Sequence, residues 1–326
     1  MTDANSFMKG SDKNKMSQVP AVAVIMSTYN GEKYLREQID SILAQKDVHV
    51  ELFIRDDGSK DNTREIISDY VKRYDNIHAE FGENKGWIRS FVYALQTAPD
   101  FDYYAFSDQD DFWLEEKLIT SVKDIMREEN ENGRKIPVIC QTNALIVDEK
   151  LNALYQTHTE GRAATVYSFA LREIGRGCCM VLNAKARELS RIKDEAKLFK
   201  DYAHDAALAV MVVAVGGKFI IEPAPLMKYR MHGNNAMGAP SSLMKRIKYE
   251  LTALTSKKGH VSNLHKMLLQ SLNDELTDDA RKAFTLISGS PDKWLYRLRI
   301  LFSPEFRTGD IRATILAKLK VLLGYI

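Results

Sequence analysis

Cysteine is scarce in this chain of 326 residues: Cys140 stands alone and Cys178 and Cys179 are adjacent. That leaves no disulfide framework and no CxxC metal spacing, and it fits a reducing cytosol. No uninterrupted run of 18 apolar residues occurs, so no transmembrane helix is expected. Residues 1–20 are rich in Ser, Asp, Asn and Lys and lack the apolar stretch of a signal peptide, and they read as a flexible tail. An excess of one charge is missing too, since 46 Lys and Arg oppose 44 Asp and Glu for a net +2. No global field therefore calls for nucleic acid. Nor does a G-x-G-x-x-G or a P-loop glycine pattern follow the first apolar run, which removes support for dinucleotide and ATPase readings.

What is present is an alternation of short apolar runs with helical patterns. With 45% hydrophobic residues, the chain is long enough for one α/β domain of about 200–250 residues plus an accessory segment. Strands are expected at residues 21–26, 50–54, 77–81 and 103–106, and helices at 31–45, 60–74 and 87–96. This β-α-β-α order predicts an α/β fold with a Rossmann-like, mostly parallel sheet flanked by helices, binding ligands beyond the carboxyl ends of its strands. Past residue 136 the pattern loosens into short strands at 138–140, 178–182 and 219–221, and an apolar helix at 205–215 ends at Gly216 and Gly217. From Ser241 onward the chain reads as helical, punctuated by Pro291 and Pro304.

Polar clusters fall at the strand ends: Ser27-Thr-Tyr-Asn30, Asp56-Asp-Gly-Ser59, Gly82-Glu-Asn-Lys-Gly86 and Ser107-Asp-Gln-Asp-Asp111. Carboxylates two residues apart at a strand end can converge on Mg²⁺ or Mn²⁺, which accept a few carboxylates and keep positions open for phosphate oxygens. Equally, Asp110 and Asp111 suit the positive end of a helix expected at 114–126. Asp56 to Ser59 reads either as a plain turn or as a carboxylate that accepts the imide N–H of a pyrimidine base. Asn84, Lys85 and Gly86 precede a helix whose free N–H groups suit a phosphate. Asp205 either caps its helix or acts as a general base, while His204 orients it or is an ordinary half-exposed histidine.

In order, VAVIMSTYNGEKYL, FIRDDGSKDNT, ENKGW, FSDQDDFW, GCCMVLN, HDAALAVMVVAVGG and YRMHGNN resemble the family-2 glycosyltransferases with the GT-A fold, over roughly residues 21–238. The resemblance implies a catalytic domain over 21–238, between the tail of 1–20 and a helical region of 239–326. It implies that Thr28, Tyr29 and Asp57 hold the nucleoside, that Asp108 and Asp110 are the metal-binding DxD pair, and that Asp205 is the catalytic base. Asn84 and Gly86 match an Asn-x-Gly of the family, and Gln109 joins the nucleotide-sugar set. Ser90-Phe91-Val92 stands where many members have Ala-Arg-Asn, so Lys85 and Arg89 are taken as substitutes for the missing arginine. His232 and Trp113 are further candidates, the first as a metal or diphosphate ligand.

Within the family the variants look most like bacterial rhamnosyltransferases, which implies a dTDP-L-rhamnose donor and a lipid-linked cell-surface glycan acceptor. The expected reaction is a single displacement with inversion, since no motif for a second, covalent carboxylate is visible. A UDP-hexose donor, a non-catalytic glycan- or nucleotide-binding relative and a nucleotidyltransferase are the competing readings. The last of these should carry a Gly-rich basic loop where Ser27 to Asn30 stand. Residues 291–326 hold seven Lys or Arg against three acids, and Ile311, Ile315, Leu319 and Leu322 share a helical stripe. Such a helix suits either peripheral contact with an anionic membrane or packing on the domain or a second subunit. No readable code identifies the acceptor, although residues 156–166 belong to the loops expected to meet it.

Overall fold

Apolar runs bounded by polar turns become the first four strands. They are β1 (Ala21–Thr28), β2 (His49–Asp56), β3 (Ile77–Phe81) and β4 (Tyr103–Ser107), separated by α1 (Leu35–Leu43), α2 (Thr63–Arg73) and α3 (Trp87–Thr97). The computed structural model describes residues 19–132, 136–159, 161–172, 174–192, 195–233 and 259–326. β1 shows why continuous apolar runs were needed: Ala23 and Ile25 pack on one side with α3, while Val22, Val24 and Met26 pack on the other with α1. Each fully buried side chain of this kind contributes roughly 1.5–3 kcal/mol. The four strands pair in parallel in the order β3-β2-β1-β4 and end together on one rim.

The second half brings in antiparallel pairing. It runs β5 (Phe112–Trp113), α4 (Lys117–Asn132), β6 (Val138–Val147), β7 (Ala153–Gln156), α5 (Val166–Leu171), β8 (Met180–Asn183), α6 (Ala184–Glu188), α7 (Glu195–Asp201), α8 (His204–Ala214) and β9 (Lys218–Arg230). β8 lies antiparallel between β4 and β6, β9 runs parallel to β6, and β5 closes the sheet antiparallel to β9. β9 has 13 residues, far more than the stretch expected at 219–221. Pro223 and Pro225 hide it in the sequence, because proline cannot donate to a ladder, and the register against β6 shifts there, around Asn143.

The C-terminal part is helical as expected, with α9 (His260–Ser271), α10 (Asp278–Gly289), α11 (Trp294–Phe302) and α12 (Ile311–Leu323). Thr277 and Asp310 cap α10 and α12 by accepting backbone N–H groups of Ala280 and Ala313. These helices share the core of the sheet: Leu268, Phe284, Ile300, Phe306 and Val321 join one apolar cluster with Ala23, Phe106 and Leu208. The expected boundary at 238/239, and the start of the helical stretch at Ser241, lie outside the described residues. Among the described residues no helix is long and apolar enough to cross a membrane.

Candidate active site

The four polar loops at the rim are tied to one another by hydrogen bonds between backbone and side chains. The Gln109 amide faces the Tyr29 backbone, accepting its N–H at 2.8 Å and donating to its carbonyl at 3.1 Å. A Cβ on Gly31 would overlap the end of the Gln109 side chain, so a larger residue there must push that amide aside. Asn30 N–H donates to Ser59 Oγ, and Gly31 N–H to Thr63 Oγ1. The two carboxylates of the Asp56-Asp57 pair divide the work. Asp56 accepts from Ser59 N–H and Arg64 Nε and so holds its own turn, with Gly58 at a φ of +85°. Asp57 accepts from the N–H groups of Lys85 and Gly86 at 2.8 and 2.9 Å, and from Arg55 Nη1, which fixes the Asn84–Gly86 loop beside the first two.

Thr28 and Asp57 are buried here, whereas Tyr29 presents its ring to solvent. Asn84, Lys85, Gly86 and Arg89 are exposed, with Lys85 Nζ 4.7 Å from the centre of the Tyr93 ring. Phe91, which the resemblance sets in the place of an arginine, is buried and stacks on His204 with ring centres 4.5 Å apart.

Behind this rim, Asp108, Asp110 and Asp111 come from the loop between β4 and β5. Asp110 and Asp111 do not cap a helix, because β5 intervenes before α4 begins at Lys117. The ligand atoms of Asp108, Asp111 and Cys178 lie within 4.8 Å of one another. Asp110 Oδ2 faces His232 Nε2 at 2.8 Å, which brings two predicted residues together. Burial, then the charges of Asp110 and Asp205, push Asp108 up to about 7. Asp111 is raised well above the carboxylate range by burial and by Asp108 and Asp110, and among the described residues its Oδ2 has no hydrogen-bond partner. Cys178 is raised by its contact with Cys179 and by burial, which favours its neutral thiol. Crowded carboxylates with one orphaned buried oxygen fit a hard divalent cation.

Asp205 lies in the first turn of α8. Its Oδ2 accepts the Gly177 N–H at 2.7 Å and its Oδ1 the Ala206 N–H at 2.8 Å, so it is oriented from two segments rather than serving only as a cap. The carboxylate is half-buried and close enough to raise Asp108 by its charge. Two expectations need correction. His204 is buried, not half-exposed, enclosed by Phe91, Phe106 and Trp87, with neither ring nitrogen hydrogen-bonded among the described residues. Desolvation lowers its pKa, so it is neutral and offers Asp205 no hydrogen bond. Trp113 is also no site residue: the alternation of β5 turns it into the core, under Lys117 Nζ 3.5 Å from the ring centre.

Sequence reasoning missed Arg55, Arg230 and Lys117, all of them buried. Arg55 links Asp57, Ser90 Oγ and the Glu83 carbonyl. Arg230 donates its N–H to Asp111 Oδ1 and its guanidinium to the Asp110 and Glu149 carbonyls and to Glu37. Lys117, lowered to about 8 by burial, places an amino group near Asp111. Charged residues are ordinarily solvated, so nothing local flags these three.

Residues 23–160 match the family model described as Glycosyl transferase family 2. Over 264 residues the chain is 28% identical to dTDP-rhamnosyl transferase RfbG of Shigella flexneri, covering 78% of this chain and 87% of that protein. It is 39% identical over 100 residues to the putative teichuronic acid biosynthesis glycosyltransferase TuaG of Bacillus subtilis, a match spanning 30% of this chain and only 39% of that protein. Among solved structures, Staphylococcus aureus TarS 1–349 in complex with UDP-GlcNAc superposes with a TM-score of 0.52 at 16% identity, covering 94% of this chain and 91% of that one. That likeness speaks for the fold. Matched domain and architecture agree: residues 23–160 carry a glycosyl transferase family 2 domain, set in a chain with the GT-A fold.

Proposed function

We propose that the protein transfers L-rhamnose from dTDP-L-rhamnose to a hydroxyl of a lipid-linked cell-surface glycan, inverting the anomeric carbon. The observation that carries the mechanism is the placement of Asp205, held by the Gly177 N–H and lying within electrostatic reach of Asp108. Asp205 takes the proton of the acceptor hydroxyl as that oxygen attacks the anomeric carbon, and the nucleoside diphosphate leaves from the opposite side. Thr28, Tyr29 and Asp57 shape the nucleoside cleft, Tyr29 by its exposed ring and Asp57 by fixing the loop of Asn84, Lys85 and Gly86. Gln109 keeps the first and fourth loops in register, and Lys85 and Arg89 are the exposed cations nearest the diphosphate side. Asp108 and Asp110, with Asp111 and His232 beside them, would hold Mg²⁺ or Mn²⁺, which supplies positive charge to the departing diphosphate. The rhamnosyl donor is supported by the likeness to RfbG over most of both chains.

The test is release of nucleoside diphosphate from dTDP-rhamnose, UDP-glucose and UDP-GlcNAc, with either cation, a rhamnosylated lipid-mimic acceptor, and Asp205→Asn alongside. Acceptor-dependent turnover of dTDP-rhamnose, lost in the variant by about 10²–10⁴-fold, supports donor and base together. Turnover of a UDP-sugar instead would overturn the rhamnosyl assignment and keep the mechanism.

The acceptor's lipid is met by the outer face of α11 and α12. Trp294, Phe302, Ile311 and Ile315 are 65%, 77%, 73% and 61% exposed, and Leu319 lies along the same surface. Arg297 and Lys318 are spent on backbone carbonyls at the ends of these helices. Lys293, Arg299, Arg307, Arg312 and Lys320 remain to favour an anionic bilayer. Because Ile300, Val321 and Ile326 belong to the core, truncating this region would damage the fold. Ile311→Ser with Ile315→Ser is the cleaner probe: co-sedimentation with anionic vesicles should fall at least tenfold, and unchanged binding would remove the membrane contact.

A further inference from the structure

One cavity of about 340 Å³ lies outside the carboxylate cluster, between β6, the 157–162 loop and the segment leading into the Gly177–Cys179 turn. Three arginines line it, Arg162, Arg172 and Arg176, and of its described lining residues none is acidic. Three guanidinium groups around one small cavity are a poor arrangement for a neutral hydroxylated ligand and a good one for an oxyanion, whose oxygens accept paired N–H donors.

Arg176 is held from two sides. Arg176 N–H donates to Gln141 Oε1 at 2.9 Å, and the guanidinium lies 5.4 Å from the centre of the Tyr229 ring. Arg172 reaches the Thr308 carbonyl only at 3.4 Å, and among the described residues its Nε has no partner. Burial, reinforced by the charge of Arg162 and only partly opposed by that of Asp310, depresses the Arg172 pKa. Thr142 Oγ1, in the same wall, is likewise without a hydrogen bond among the described residues.

The cavity shares a wall with the proposed base. Gly175 lines it, and a Cβ there would come within 3.2 Å of the Ala206 nitrogen, while two residues on Gly177 donates to Asp205. A ligand seated among the arginines is therefore one chain segment away from Asp205, with Gly175 to Gly177 between them. We infer that this cavity is a subsite for an anionic group, phosphate or carboxylate, carried by the acceptor glycan. The inference rests on the glycosyltransferase reading and adds to it the chemistry of the acceptor.

Equilibrium binding to the full chain tests it without requiring turnover. The protein is saturated with dTDP, so that the donor site is filled, and titrated with glycerol 3-phosphate, methyl glucuronide and neutral methyl glucoside. The expected result is that at least one anion binds, methyl glucoside does not, and the anion's Kd rises at least tenfold in Arg172→Gln. Arg162→Gln, at an exposed position, should show the same loss and serves if the first variant fails to fold. The tighter of the two anions decides between phosphate and carboxylate. No preference over methyl glucoside, or variants that bind as wild type does, would overturn the subsite. A parallel loss of dTDP affinity would reassign the cavity to the donor diphosphate and overturn its acceptor role. Anion binding that persists while every donor fails to turn over would instead sink the catalytic reading and leave the subsite standing.

Discussion

His204 shows how much a single side chain in this site depends on its surroundings. Its ring packs among Phe91, Phe106 and Trp87 with no hydrogen bond to either nitrogen among the described residues, so it behaves as an aromatic filler behind Asp205. His204→Ala should cost roughly 2–4 kcal/mol in denaturant unfolding, the range for emptying a large buried site. His204→Phe should keep most stability and activity. Both variants also remove a titrating group. The folded state holds His204 neutral with a lowered pKa, so the unfolded chain binds the extra proton and stability falls as pH drops below about 6.5. His204→Phe should flatten that part of the stability curve between pH 6.5 and 5, and an unchanged slope would place the titration elsewhere.

Among the elements, what was legible in the sequence was the parallel half. Uninterrupted apolar runs in β1 and β4 and amphipathic α1 to α3 are local signals, and they located the rim loops correctly. β5 was not legible, having only two residues, and β9 showed only its stretch at 219–221, its prolines hiding the rest. Their pairing is what brings Arg230 to Asp111. The carboxylates could be found by type, but which of Asp56 and Asp57 holds a turn and which holds a neighbouring loop depends on their contacts with Arg64 and with buried Arg55, which no local pattern encodes. The contact of Gly31 with Gln109 is likewise between elements. Gly31→Ala should displace the amide and release the first loop from the fourth, weakening nucleotide binding by about tenfold for the roughly 1–1.5 kcal/mol of one or two net hydrogen bonds. Hydrogen exchange should quicken at Tyr29, and unaltered exchange there would rule out the tie.

For the whole molecule, the acidic cluster couples stability to pH and to cations. Asp108 holds its proton up to about 7 in the folded state, and Asp111 is likewise raised well above the carboxylate range by burial and its neighbours. At these two groups the folded state binds more protons than the unfolded chain between pH 4 and 7, so their contribution to the stability of cation-free protein falls as pH rises through that window, opposite in sign to that of His204. A divalent cation displaces those protons, so Mn²⁺ should raise the melting temperature more at pH 8 than at pH 6. An equal shift at both would mean that the cation binds elsewhere. The β5–β9 pairing has a further consequence in time. Arg230 meets Asp111 across 119 residues of chain, and closing so long a loop is deferred until its ends can both dock. A ribosome that has released β1 to β4 has delivered every strand of the parallel half, yet the partner that braces the acidic loop is still to be made. The nascent protein acquires its architecture early and its chemistry last, so chains stalled before β9 would carry the fold's beginnings with no braced acidic loop.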